Sequence, residues 1–77
     1  MNARERAIAE RYRSQGWVAL RNGAPDFVML KTDERGRILE MRGVEVKKRG
    51  SKLSHEQRVY REIFKKAGIP FVVEELD

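Results

Sequence analysis

The sequence predicts an α/β fold: one mixed sheet with helices packed on it, in the order helix, three strands, helix, strand. Three observations carry that expectation. Two segments repeat their apolar residues with a helical period and end at a glycine. Four segments of strand length are bounded by turn residues. The chain has 77 residues, enough for one small domain, residues 1–77, and no more. Such a domain buries only roughly 60% of its unfolded surface, so dimerisation is one way to gain burial.

Asn2 caps a first helix that runs to Gln15, with Gly16 as its stop. On a helical wheel Met1, Glu5, Ile8 and Tyr12 fall within about 60° of one another and form the inward stripe, while Glu10 points the opposite way. Glu5 is the misfit, because an unpaired charge is costly to bury. Residues 17–21, "WVALR", read as a short strand and "NGAP", 22–25, as a turn. "DFVMLK", 26–31, is a continuous apolar run, which predicts a strand covered on both faces. "TDERG", 32–36, is a hairpin loop, and residues 37–48 return as the longest strand, antiparallel to the one before. A basic loop follows at 49–53. Ser54 then opens a second helix to Ala67, with Ser54 and Gln57 spaced as a capping box. Its apolar stripe is Tyr60, Ile63, Phe64 and Ala67. Gly68 closes the helix, Pro70 prevents its resumption, and residues 70–76 form the last strand.

Lys and Arg total 17 against 12 Asp and Glu, a net charge of +5 with a pI near 10. That balance favours a polyanionic partner such as nucleic acid. Without cysteine there is neither a disulfide framework nor a zinc-thiolate site. No apolar run approaches the ~20 residues of a membrane span, and "MNARERAIAERYR" is too charged for a signal peptide. The expectation is a soluble cytoplasmic protein with no membrane partner.

Residues two apart in a strand share a face, so Glu45 and Lys47 point one way and Val44 and Val46 the other. If the hairpin closes around 32–36, register brings Asp26 within reach of Glu45 and Lys47. Two nearby carboxylates repel unless a cation sits between them. Oxygen ligands, with no Cys and no usable His, favour Mg²⁺ or Mn²⁺. Such an ion could orient water and polarise a phosphoryl oxygen. Lys47 could stabilise charge building on the phosphate or help deprotonate the water. Lys48, Arg49 and Lys52 in the basic loop, and Arg21 before the "NG" turn, are positioned to hold a phosphate backbone.

Each residue alone has a blander explanation: Asp26 starts a turn, and Glu45 and Lys47 line an exposed strand face. Together, inside a sheet covered by helices, they favour a site. His55 lies off its helix's apolar stripe and reads as a solvated first-turn residue. Tyr12, Trp17 and Tyr60 read as core rather than as platforms for bases. Asp33, Glu34, Glu74, Glu75 and Asp77 read as solvated charges.

Pro25–Asp26, a hairpin, then Glu45–Val46–Lys47, with 18 residues between Asp26 and Glu45, resembles the PD-(D/E)XK nuclease superfamily. The element order is that of the restriction-endonuclease-like minimal core, so the resemblance covers essentially the whole chain. Within the superfamily the chain looks most like the small virus-type replication-repair nucleases, the VRR-NUC family, and more distantly like archaeal Holliday-junction resolvases. Three features carry this: Glu5 eleven residues before Gly16; the run Gly23, Ala24, Pro25, Asp26; and a basic-glycine loop leading into "SHEQ" and a helix closed by Gly68. The resemblance implies that Asp26, Glu45 and the Val46 carbonyl ligate Mg²⁺ or Mn²⁺. It implies a catalytic Lys47, a Glu5 that holds metal-bound water, and a Gln57 that supports the site. It further implies a metal-dependent nuclease that hydrolyses DNA, branched or flapped, in replication, repair or recombination. A homodimer or a partner protein would supply specificity that so short a chain has no room for. The rival expectations are a double-stranded-RNA-binding module of αβββα order, which the weakly basic "SHEQR" does not favour, and a nuclease-fold scaffold without activity.

Overall fold

The computed structural model describes all 77 residues. The elements are α1 (Ala3–Ser14), β1 (Val18–Arg21), β2 (Phe27–Thr32), β3 (Ile38–Lys48), α2 (His55–Lys66) and β4 (Phe71–Leu76), in the predicted order. Asn2 caps α1 by accepting the Glu5 N–H at 2.8 Å. Ser54 and Gln57 form the capping box reciprocally at α2. The sheet order is β1-β2-β3-β4. β1–β2 and β2–β3 are antiparallel, as adjacent hairpin strands must be, and β4 joins β3 in parallel after the α2 crossover.

α1 covers one face of the sheet. Its Ile8, Ala9 and Tyr12 pack with Trp17, Phe27, Met29 and Val44 into the core. Tyr12 and Trp17 meet edge to face at 5.6 Å. The Arg42 guanidinium lies 4.8 Å from the Trp17 ring and donates to the Tyr12 hydroxyl at 3.3 Å. Both aromatics are therefore core residues, and Arg42 closes the rim with its charge over their π-faces.

The opposite face differs from expectation. α2 rests on β3 and β4 through Phe64, which packs edge to face on Phe71 at 5.8 Å. Gly43 makes this approach possible, since a Cβ there would stand 2.6 and 2.8 Å from Phe64 ring carbons. No residue of α2 is fully buried, and Ile63 remains 52% exposed. The inward line of α2 is Gln57, Tyr60 and Phe64, each half-buried, while Ile63 and Ala67 face outward. β2 is fully covered on the α1 side only: Phe27 and Met29 are buried, but Val28 and Leu30 are half-buried beside exposed Val18 and Leu20. The reason is dimensional. A helix roughly 10 Å across spans about two strands spaced about 4.8 Å apart, not four.

Three loop and end carboxylates predicted to be solvated are partnered. Asp33 accepts from the Arg35 and Arg37 N–H groups and from the Arg37 side chain at 2.7–2.9 Å, which closes the β2–β3 hairpin. The Arg37 backbone bond leads the causes that hold its carboxyl below the ordinary range. Glu74 pairs with Arg11, and Asp77 with Arg49.

Gly43→Ala drives a methyl into the Phe64 ring and lowers unfolding stability by about 1–3 kcal/mol. Urea denaturation measures this, and an unchanged midpoint would mean that α2 does not rest on β3 at that point.

Candidate active site

The register pairs Phe27 with Val44, which sets Asp26, one residue earlier, opposite Glu45. The turn before Asp26 is tied down, because the Asp26 carbonyl accepts the Asn22 N–H at 2.7 Å and Pro25 is buried. From there Asp26 reaches across the end of β2. Its Oδ2 accepts the Val46 N–H at 2.9 Å, and its own N–H donates to Glu45 Oε2 at 3.3 Å. The other Glu45 oxygen, Oε1, accepts from Gln57 Nε2 at 2.8 Å. Gln57 Oε1 in turn accepts the Ser54 N–H at 2.8 Å. The Gln57 amide thus serves the helix cap with its oxygen and reaches Glu45 with its nitrogen.

Glu45 is only 2% exposed. Its carboxyl is pushed up to about 7, first by loss of water, then by the Asp26 charge and a side-chain hydrogen bond to Asp26. A backbone hydrogen bond from Asp26 and the positive charge of Lys47 offset part of this. Lys47 follows Glu45 on the same face by alternation, is half-buried and takes part in no salt bridge. The Val46 N–H faces Asp26, and in an extended strand a residue's carbonyl shares the edge of its N–H. The Val46 carbonyl therefore lies on the β2 side, beyond the last ladder pair of Phe27 with Val44.

Asp26, Glu45 and the Val46 carbonyl are oxygen donors only, and neither carboxylate forms a salt bridge, the Lys47 charge offsetting only part of the cost at Glu45. That chemistry fits a hard divalent ion, since Mg²⁺ uses about one or two carboxylates and keeps several waters. There is no group of three or more His, Cys, Asp or Glu side chains, so Glu5 is not part of the pair. The stripe of α1 was expected to bring Glu5 to the face of Glu45. Instead α1 packs against Val44 and Val46, and the Glu45 side chain points to the α2 side. A helical stripe says which side meets a sheet, not which face of the sheet it meets.

Arg21, Lys48, Arg49 and Lys52 are all exposed. Arg21 pairs with Phe27, next to Asp26, and Lys48 ends β3 two residues after Val46. Arg49 is engaged with Asp77 at 2.7 Å. His55 is exposed at the first turn of α2, as expected. Sequence reasoning missed a cleft of about 510 Å³ between the 22–25 turn and the first half of α2. Tyr60, assigned to the core, lines it.

A small mixed sheet carries the Asp26–Glu45 pair and Lys47 together at one end of β3. The VRR-NUC domain profile matches residues 2–75, and the chain belongs to that family. A solved structure described as a VRR-NUC domain is similar at 30% identity, with a TM-score of 0.68 over 92% of this chain and 80% of that one. No curated protein matches the chain. No helix is long and apolar enough to cross a membrane.

The raised Glu45 carboxyl has a definite sign. Its folded value near 7 lies above the ordinary 4.5, so the folded state holds the extra proton between those values. The resulting stability is fully present below about pH 4.5 and is lost as pH rises through about 7. Metal-free protein followed by thermal unfolding loses stability across that window, and Glu45→Gln flattens the profile there. A wild-type profile as flat as that of the variant would contradict the assignment.

Proposed function

We propose that this chain is a metal-dependent nuclease that hydrolyses phosphodiester bonds of intracellular DNA, selecting structure rather than sequence. One observation supports this most. The buried Glu45 carboxyl is positioned by Asp26 and Gln57 yet forms no salt bridge, and the Lys47 charge offsets only part of its burial. A purely structural carboxylate in that position is costly. One that receives a divalent ion has a reason to be there.

Asp26, Glu45 and the Val46 carbonyl would hold Mg²⁺ or Mn²⁺, and such an ion would supply Lewis acidity to water and to a phosphoryl oxygen. Gln57 keeps Glu45 from rotating away. Lys47, free of any ion pair, meets the negative charge that builds on the phosphate. Arg21, Lys48 and Lys52 hold the DNA backbone, and Arg49 joins them on releasing Asp77. Glu5 stays outside the inner set, and its expected part, holding bound water, requires it to reach around the end of β2.

The apolar sheet surface left open by α2 favours a two-fold homodimer. Val18 and Leu20 of β1 and Leu39 of β3 share that face and are 46%, 47% and 68% exposed. A two-fold dimer would present two sites to two strands, with any further specificity in replication, repair or recombination supplied by a partner protein. Sedimentation equilibrium detects the dimer, and Leu20→Asp dissociates it. A monomeric wild type at tens of micromolar chain would remove this part of the proposal.

Nicking of plasmid and of branched DNA, with Mg²⁺ or Mn²⁺ against chelator, tests the activity. Wild type nicks only with metal, and Lys47→Ala and Glu45→Gln lower the rate by roughly 100-fold or more. Wild type inert with both metals, or Lys47→Ala as active as wild type, overturns the hydrolytic assignment. A metal-independent shift of duplex RNA, without nicking, would point to a binding module instead.

A further inference from the structure

The cleft beside the carboxylate pair has the chemistry of a nucleobase site. It is walled by Asn22, Gly23 and Ala24 of the turn and by Glu56, Gln57 and Tyr60 of α2. Its volume of about 510 Å³ falls in the range of ligand pockets. No lysine or arginine lines it, and Glu56 contributes a carboxylate, so a phosphate is disfavoured there. Asn22 gives one amide N–H to the Ala24 carbonyl at 3.2 Å, which leaves the second N–H as a donor and Oδ1 as an acceptor. Tyr60 is half-buried and its hydroxyl makes no hydrogen bond within the protein, so the ring lines the cleft without being locked in the core. Donors and acceptors at the wall, with the Ser54 hydroxyl among them, and an aromatic face match a flat, neutral ligand with hydrogen-bonding groups at its edge. Gln57 is common to the cleft and to Glu45, so the ligand would lie one side chain from the carboxylate pair.

We propose that the cleft receives one unpaired nucleobase of the DNA strand, stacked on Tyr60, and that this capture is what makes the protein selective for forked or flapped DNA. The inference rests on the nuclease reading for its ligand class. A base inside a duplex is stacked and paired on both sides and must be extruded to reach a pocket, whereas one at a fork is already free. Stacking on an aromatic ring is tolerant of base identity, so the preference is for structure and not for sequence.

Fluorescence anisotropy in EDTA, where metal-dependent cleavage cannot proceed, tests this with a labelled hairpin duplex and the same duplex carrying a splayed arm. Wild type binds the splayed arm roughly tenfold more tightly, the size of one base–aromatic stack. Tyr60→Ala reduces the preference to about twofold or less and leaves duplex affinity unchanged, while Tyr60→Phe keeps it. An abasic first unpaired position abolishes the preference of the wild-type protein, a test that needs no variant to fold. Equal binding of both probes by wild type, or a preference that survives the abasic position, overturns the inference. A fork preference in a protein that never nicks supports the cleft while contradicting the hydrolytic assignment. Metal-dependent nicking without fork preference does the reverse.

Discussion

The structure is organised around one buried carboxylate. Glu45 sits at the junction of β2, β3 and α2, and each of its oxygens is held by a different part of the chain. The N–H of Asp26 reaches it from the turn before β2. The amide of Gln57 reaches it from the first turn of α2, and that amide is itself fixed by the cap at Ser54. Asp26 is fastened in return to the Val46 N–H. A hairpin, a turn and a helix start are thus tied to one side chain that water scarcely reaches. Nothing apolar is gained by this arrangement, and the raised carboxyl records what is given up.

Stability and chemistry are divided between the two faces of the sheet. The α1 face carries the fully packed core of Ile8, Tyr12, Trp17, Phe27, Met29 and Val44. The α2 face carries little fully buried apolar surface, and α2 itself buries no residue completely. What α2 contributes is position. Gly43 lets Phe64 settle against the sheet, which brings the N-terminal half of the helix near enough for Gln57 to touch Glu45. The same placement opens the cleft between the helix and the turn. A larger helix layer on this side would bury Val18, Leu20 and Leu39.

Much of this was legible in the sequence, for identifiable reasons. Element order followed from periodicity and glycine stops, and the pairing of Asp26 with Glu45 followed from the hairpin position alone. The direction of Gln57 was readable because it lies at the edge of the α2 stripe beside Phe64 and so can face the sheet. Glu5 was misplaced, since a wheel angle fixes the direction of a side chain about its own helix and leaves the choice of sheet face open. Coverage of β2 was overread for a related reason: the apolar run 26–31 reports tendency to be buried, while helix width and number decide how much can be. The partners of Asp33, Glu74 and Asp77 lie in short-range turn geometry, in α1 and in the loop after β3, which charge patterning does not encode. Membership of the VRR-NUC family agrees with the motif spacing.

The central claim is that Asp26 and Glu45 together bind a divalent ion. Electron paramagnetic resonance of Mn²⁺ titrated into the protein at pH 8, above the raised Glu45 value, tests it most directly. Wild type removes free Mn²⁺ signal at a discrete site, and both Asp26→Asn and Glu45→Gln abolish that binding while remaining folded. Mn²⁺ uptake that is undiminished in the two variants, or absent from the wild type, would contradict the account.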